Sequence, residues 1–163
     1  MRVEGLGRKA FVDMKYSDHS EHKLVRKLRR SKAYIPDLSL IAQYRGQIIG
    51  HILISKIEVV DLEQSFEGLS LAPISVSPEY QNNGIGTQLI VRVHEVANTL
   101  GYGFIVLIGH KEYYPRLGYQ EAKHIGVEFP FEAPSEHCMI LELNSGNLPE
   151  IQGTVKYPKE FFE

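Results

Sequence analysis

The chain has 163 residues, 43% of them hydrophobic and 23% charged, which suits one soluble globular domain spanning 1–163 with a substantial core. A formal net charge of -2 supplies no global positive field, which argues against a protein built mainly to bind nucleic acid. The single cysteine, Cys138, excludes an intramolecular disulfide and points to a cytoplasmic setting, and no run approaches the roughly 20 apolar residues that span a bilayer, so neither a membrane partner nor a secretory signal is expected.

The first element is "EHKLVRKLRRSK", residues 21 to 32, where Leu24, Val25 and Leu28 fall at helical spacing among six Lys or Arg residues. This predicts an amphipathic helix with its cationic side in water. His19 and His22 could share one face of that segment. With no C-x-x-C or H-E-x-x-H spacing they read as surface histidines, and no metal is expected. "LSLIAQYRGQIIGHILISKIEVV" follows as two β-rich runs around Arg45-Gly46-Gln47. It predicts a hairpin with strands near Leu38–Tyr44 and Ile48–Val60.

"LSLAPISV" is a third strand with Pro73 inside it. Proline removes a ladder donor, so it belongs at an edge, at a bulge or where pairing is lost. Ile85, Leu89, Val93, Val96, Ala97 and Leu100 then form a helical stripe, and Gly101 suits a helix stop. "FIVLI" reads as an interior strand, so the strand–helix–strand order predicts that Leu69–Val76 and Phe104–Ile108 run parallel. "KEYYPRLGY" reads as a short helical or turn segment, "HCMILEL" as a strand that buries Cys138 as a structural thiol, and "GTVKYP" as extended. Together these elements predict an α/β domain with a mixed sheet and helices packed on it.

Between the third strand and the helix lies Gln81-Asn82-Asn83-Gly84-Ile85-Gly86. A helix start has backbone N–H groups with no partner inside the helix, and the helix dipole makes that end partly positive. Gly84 and Gly86 remove side chains there, so an anion such as a diphosphate could approach closely. Gln81 and Asn83 could add side-chain donors, and Thr87 an N–H or a hydroxyl. A nucleotide P-loop would need G-x-x-x-x-G-K-S/T, which is absent, and a dinucleotide fingerprint would need glycine where Leu89 stands. On the residues alone, a plain turn and cap explains the two glycines as well as an anion site does.

"VSPEYQNNGIGTQLI" resembles motif A of the GNAT superfamily of acyl-CoA-dependent N-acyltransferases, whose pattern is Q/R-x-x-G-x-G/A after a V-x-P-x-Y lead-in. The matches are Val76, Pro78, Tyr80, Gln81, Gly84 and Gly86. "GHKEYYPRLGY" resembles the family's later F-Y-x-x-x-G-F motif through Tyr113-Tyr114 and Gly118-Tyr119. The likeness runs from about Leu38 to the C-terminal strands and is nearest in character to a bacterial branch of predicted N-acetyltransferases. Family members begin with a strand before the first helix. Only a few residues precede "GRKAFVDMKYSDHSEHKLVRKLRR", so the N-terminal strand is expected to be missing or truncated.

The resemblance implies a mostly antiparallel mixed sheet, splayed at the acyl-CoA site, with helices on both faces. It implies acetyl-CoA as cosubstrate, with its pantetheine arm along Ile74, Ser75 and Val76. Its diphosphate would sit over Gln81, Asn82, Asn83, Gly84, Ile85, Gly86 and Thr87. An N–H near Ile74 would polarise the thioester carbonyl, and Tyr114 would protonate the leaving sulfur while Tyr113 packs inward. Glu63, Glu67 and His110 read better as surface or loop residues, so the general base is unassigned. The implied activity is transfer of an acetyl group to an amine of a small molecule, peptide or protein. The alternative is a non-catalytic module that binds or senses acyl-CoA. The acceptor depends on variable loops, including Asp61–Gly68, and a homodimer is common in the superfamily.

Overall fold

A computed structural model describes residues 21–143 and 151–162. In chain order the elements are α1 (Glu21–Arg29), β1 (Tyr34–Tyr44), β2 (Gln47–Val60), β3 (Ser65–Val76) and α2 (Ile85–Thr99). There follow β4 (Phe104–Ile108), β5 (Gln120–Glu121), β6 (Val127–Glu128), β7 (Cys138–Glu142) and β8 (Gly153–Lys156), joined by short 3-10 turns. The expected absence of a first strand concerns residues outside those described, as does His19.

α1 is shorter than the apolar spacing implied. It stops where the Ser31 hydroxyl donates to Leu28 O at 2.8 Å and accepts the Ala33 N–H at 3.1 Å, offering the backbone an alternative to another helical turn. The β1–β2 hairpin closes on Arg45-Gly46, whose φ angles of 48° and 79° match the twist of the flanking strands in a two-residue loop.

The sheet order is β5-β7-β4-β3-β2-β8-β6, with β1 also paired to β2. β3 pairs parallel with β4, and β6 with β8; the remaining pairings are antiparallel. The mixed, mostly antiparallel sheet and its parallel β3–α2–β4 unit are as the sequence predicted. The two-residue strands β5 and β6 were not foreseen.

Side chains alternate across each strand, so the two faces of β2 take different helices. Gly50, Ile52 and Ile54 face α2, whose Leu89, Ile90, Val93 and Ala97 complete that core. A Cβ on Gly50 would come within 3.1 Å of Leu89 and 3.3 Å of Ile85, so glycine here lets α2 lie close to the sheet. On the opposite face Leu53 packs with Val25 and Leu28 of α1. Further along, Ile57, Val59, Phe104, Val106, Ile140 and Val155 form another buried cluster. The helices therefore lie on both faces.

Pro73 sits at a bulge. Ile52 is opposite Ile74 and Ile54 is opposite Leu71, so two residues of β3 face one of β2. On its other side β3 is in register with β4 only at Leu69↔Ile105 and Ser70↔Val106. Beyond Ser70 the two strands part, and the sheet opens along the second half of β3. Among the described residues no helix is long and apolar enough to cross a membrane.

Candidate functional site

The gap between β3 and β4 has a defined edge. Ser77 N–H donates to Ile49 O at 2.7 Å, which fixes the phase of the β2–β3 ladder. By alternation the main-chain groups of Ser75 face β2, while those of Ile74 and Val76 face the gap. Ser75 is buried opposite His51. Ile74 and Val76 therefore present an unextended strand edge toward the opening, the kind of edge that an extended ligand can lengthen.

Past Ser77 the chain makes a 3-10 turn at Pro78–Tyr80 and enters the glycine-bearing loop. The Gln81 side-chain amide donates to Val76 O at 2.9 Å, and the Asn83 amide donates to Tyr80 O and Gln81 O, both at 3.2 Å. These two amides, considered from sequence as donors to a ligand, instead brace their own loop. Asn83 is exposed and does not line the adjoining cavity. Asn82 takes φ 66°, a left-handed conformation that asparagine tolerates.

The two glycines have different reasons. Gly84 caps α2 at φ 79°, where an L side chain would be strained, and no side chain caps that helix end. Gly86 has no such constraint. A Cβ there would meet only Val76 at 3.8 Å and Ile74 at 3.9 Å, which is ordinary contact. Nothing in the protein's own packing requires a glycine at 86, so the missing side chain leaves space for something else. That space is a cavity of about 260 Å³ lined by Val76, Gln81, Asn82, Gly84, Ile85, Gly86 and Thr87, with Tyr80 and Tyr113 closing it. Seven of the ten predicted binding residues thus share one hollow over the N-terminus of α2. Ile74 adjoins it beneath Gly86, Ser75 lies under the sheet, and Asn83 lies outside.

The pair Tyr113-Tyr114 reverses one expectation. Tyr113 is the half-buried one: it lines the cavity, and its hydroxyl is hydrogen-bonded to Thr87 Oγ1. Tyr114 packs inward at 9% exposure, edge-on between the rings of Tyr113 and Tyr119 at 5.0 Å and 5.6 Å. Burial, with Tyr113 as a lesser contributor, pushes the Tyr114 phenol up to about 12, so it is protonated at neutral pH. Two adjacent tyrosines on an irregular turn give no sequence signal of which one faces in; packing decides.

Beyond Tyr113 a second cavity, of about 460 Å³, is lined by His110, Lys111, Glu112, Tyr113, Arg116 and His137. The sequence offered no motif for it. Cys138 is buried in β7, as expected. Among the described residues no three His, Cys, Asp or Glu groups converge as metal ligands.

Comparison with known proteins places this geometry. The model of the acetyltransferase (GNAT) family matches residues 8–119. An uncharacterized N-acetyltransferase of Escherichia coli K12, YjhQ, is 36% identical over 125 residues, 75% of this chain and 69% of its own length. A second from the same organism, YhbS, is 25% identical over 160 residues, 98% of this chain and 93% of its own. Among solved structures, a GNAT family acetyltransferase of Brucella melitensis in complex with acetyl-CoA superposes at a TM-score of 0.77 and 29% identity, covering 98% of this chain and 90% of that one. E. coli YhbS in complex with CoA superposes at a TM-score of 0.85 and 24% identity, covering 100% and 89%.

Proposed function

This chain belongs to the acetyltransferase (GNAT) family, and on that premise we propose that it transfers an acetyl group from acetyl-CoA to the amine of a small molecule, peptide or protein. The observation that carries the reading is the uncapped start of α2 at Gly84, with space left over Gly86, beside the gap where β3 and β4 part. The Brucella relative's acetyl-CoA supports the same donor here.

In this reading the diphosphate sits over the N–H groups of Ile85, Gly86 and Thr87, where the helix dipole favours negative charge. The pantetheine arm enters the gap and pairs with the main chain of Ile74 and Val76 as an added strand would. The thioester carbonyl then lies near the Ile74 N–H. A donor aimed at the oxygen as it gains charge contributes ~3 kcal/mol to the transition state. The acceptor nitrogen forms its bond to the acetyl carbon, the C–S bond breaks, and the sulfur takes a proton from the Tyr114 hydroxyl. The nitrogen's surplus proton leaves to solvent, and the Tyr114 phenolate takes a proton back from solvent.

A panel of small amines and N-terminal peptides, followed by thiol release from acetyl-CoA and by the mass of the acetylated product, tests this. Turnover with at least one amine is the expected result. Saturable binding of acetyl-CoA without turnover of any amine would instead identify a binding or sensing module, and calorimetry showing no saturation at all would reject the donor site.

A further inference from the structure

Resting on the role proposed above for Tyr114, we infer that His94 and Tyr119 are positioning residues for that acid, a hydrogen-bonded pair that fixes one wall of the space its ring occupies. The need for such a pair follows from how Tyr114 is held. Among the described residues its hydroxyl makes no hydrogen bond, unlike those of Tyr113 and Tyr119. The place of the reacting O–H is therefore set by the backbone and by contacts of the ring. Gly109 lies against one edge of the ring, where a Cβ would collide with it. Tyr113 stands edge-on at 5.0 Å and Tyr119 edge-on at 5.6 Å. Whatever fixes those two neighbours fixes the acid.

Both neighbours are tied to α2. The Tyr113 hydroxyl is bonded to Thr87, and the Tyr119 hydroxyl lies 2.9 Å from His94 Nε2. Positions 87 and 94 are close to two whole helical turns apart, so they face the same way, separated by about 10 Å along the helix. One ridge of α2 thus grips both ends of the segment 113–119 that carries Tyr114. Within that segment the Tyr119 N–H donates to Tyr114 O at 3.3 Å. A shift of Tyr119 is passed to the acid through the main chain as well as through the ring.

The hydroxyls themselves mark the device. Tyr113 and Tyr119 stand where the F-Y-x-x-x-G-F pattern has phenylalanine, which would fill the same ring positions without a polar group. Each added hydroxyl meets a partner on α2. Tyr119 is 4% exposed, so its hydroxyl depends on that partner. Burial lowers His94 from 6.5 to about 4, which keeps the imidazole neutral at neutral pH.

Steady-state kinetics on the full chain, with acetyl-CoA and the fastest-turning amine of the panel above, test the inference. His94→Phe keeps a ring and removes the bond. It should lower kcat about tenfold with the KM for acetyl-CoA unchanged, because the Thr87–Tyr113 bond still holds the donor side. Tyr119→Phe cuts the same bond from its other end and should lower kcat by the same factor. The decisive variant carries Tyr114→Phe as well. With the acid gone nothing is left to position, so adding His94→Phe should change kcat by less than about twofold. A bond that serves only the fold would again cost about tenfold there, and that repeated loss overturns the inference. So does an unchanged kcat in both single variants while Tyr114→Phe is slow; in either case the acid stays with Tyr114. An unchanged kcat in Tyr114→Phe, where chemistry limits the rate, removes the acid and its positioning pair together. No turnover with any amine removes the whole reading.

Discussion

Thr87 and Tyr113 are hydrogen-bonded hydroxyl to hydroxyl across 26 positions of sequence, and this bond ties the first turn of α2 to the turn that follows β4. It joins the proposed anion-binding end of the site to the segment that carries Tyr114. Thr87→Val removes one partner and leaves the Tyr113 hydroxyl without it, at a cost of about 1 kcal/mol in stability. The same change should raise the KM for acetyl-CoA more than it lowers kcat, because the cradle loosens while Tyr114 keeps its ring contacts. Thermal melts and steady-state kinetics on the one variant check both halves.

Gly86 offers a sharper separation of ligand binding from folding. Alanine there finds ordinary contacts at 3.8 Å and 3.9 Å, so the melting temperature should hardly change. Gly86→Glu places bulk and negative charge where the diphosphate is proposed to sit, and affinity for CoA should fall at least tenfold while the fold persists. At Gly84 the outcome inverts. Gly84→Ala forces a side chain onto φ 79° and should cost about 1 kcal/mol in stability. Paired calorimetry and melting curves on the three variants distinguish the two glycines, and unchanged CoA affinity in Gly86→Glu would remove the diphosphate from this place.

What the sequence revealed and what it hid follow from how local each signal is. The β1–β2 hairpin and α2 were legible because turn residues at Arg45-Gly46 and an apolar stripe from Ile85 to Ala97 act within a few positions. The bulge at Pro73 was legible, since a proline inside an apolar strand belongs at an edge, at a bulge or where pairing is lost, but it falls in the β2–β3 ladder, and the parting of β3 from β4 carried no local mark of its own. β5 and β6 are each two residues long and exist only through their partners β7 and β8, so no local period marks them. The distinct purposes of Gly84 and Gly86 needed a backbone angle, and the inward turn of Tyr114 needed the packed rings of Tyr113 and Tyr119. The cavity lined by Lys111, Tyr113 and Arg116 was invisible because His137, which completes its wall, approaches only in space.

If Tyr114 supplies the proton to the leaving sulfur, Tyr114→Phe keeps the packed ring and removes only the acid. General acid groups contribute roughly 10²–10⁴-fold, so kcat should fall at least a hundredfold with little change in KM for acetyl-CoA. Burial holds the phenol at about 12, above its ordinary 10, so the wild-type kcat should show no alkaline fall from loss of this proton up to pH 10. Gly109→Ala probes the same side chain indirectly, since its new Cβ would collide with the Tyr114 ring. It should lower kcat by displacing the hydroxyl. An unchanged kcat in Tyr114→Phe, where chemistry limits the rate, would take the role away from this residue.

Acid should destabilise the fold through a histidine outside the proposed reaction. His51 in β2 is 1% exposed, with Nε2 3.3 Å from Ser39 Oγ. Burial first, and the nearby Arg29 guanidinium second, lower its pKa from 6.5 to about 4. Between those values the unfolded chain binds a proton that the folded chain refuses. The stability tied to neutral His51 is therefore present above about 6.5 and is lost as pH falls toward 4. From pH 7 to pH 5 the loss is about 2 kcal/mol, or roughly 5 °C in Tm for a chain of this size. His94 is lowered to about 4 by burial as well and adds to the loss in the same direction. His51→Gln keeps a polar side chain but cannot titrate, so its Tm should decline less steeply between pH 7 and pH 5 than that of the wild-type protein. Parallel slopes for the two proteins would mean that His51 takes up its proton in the folded state.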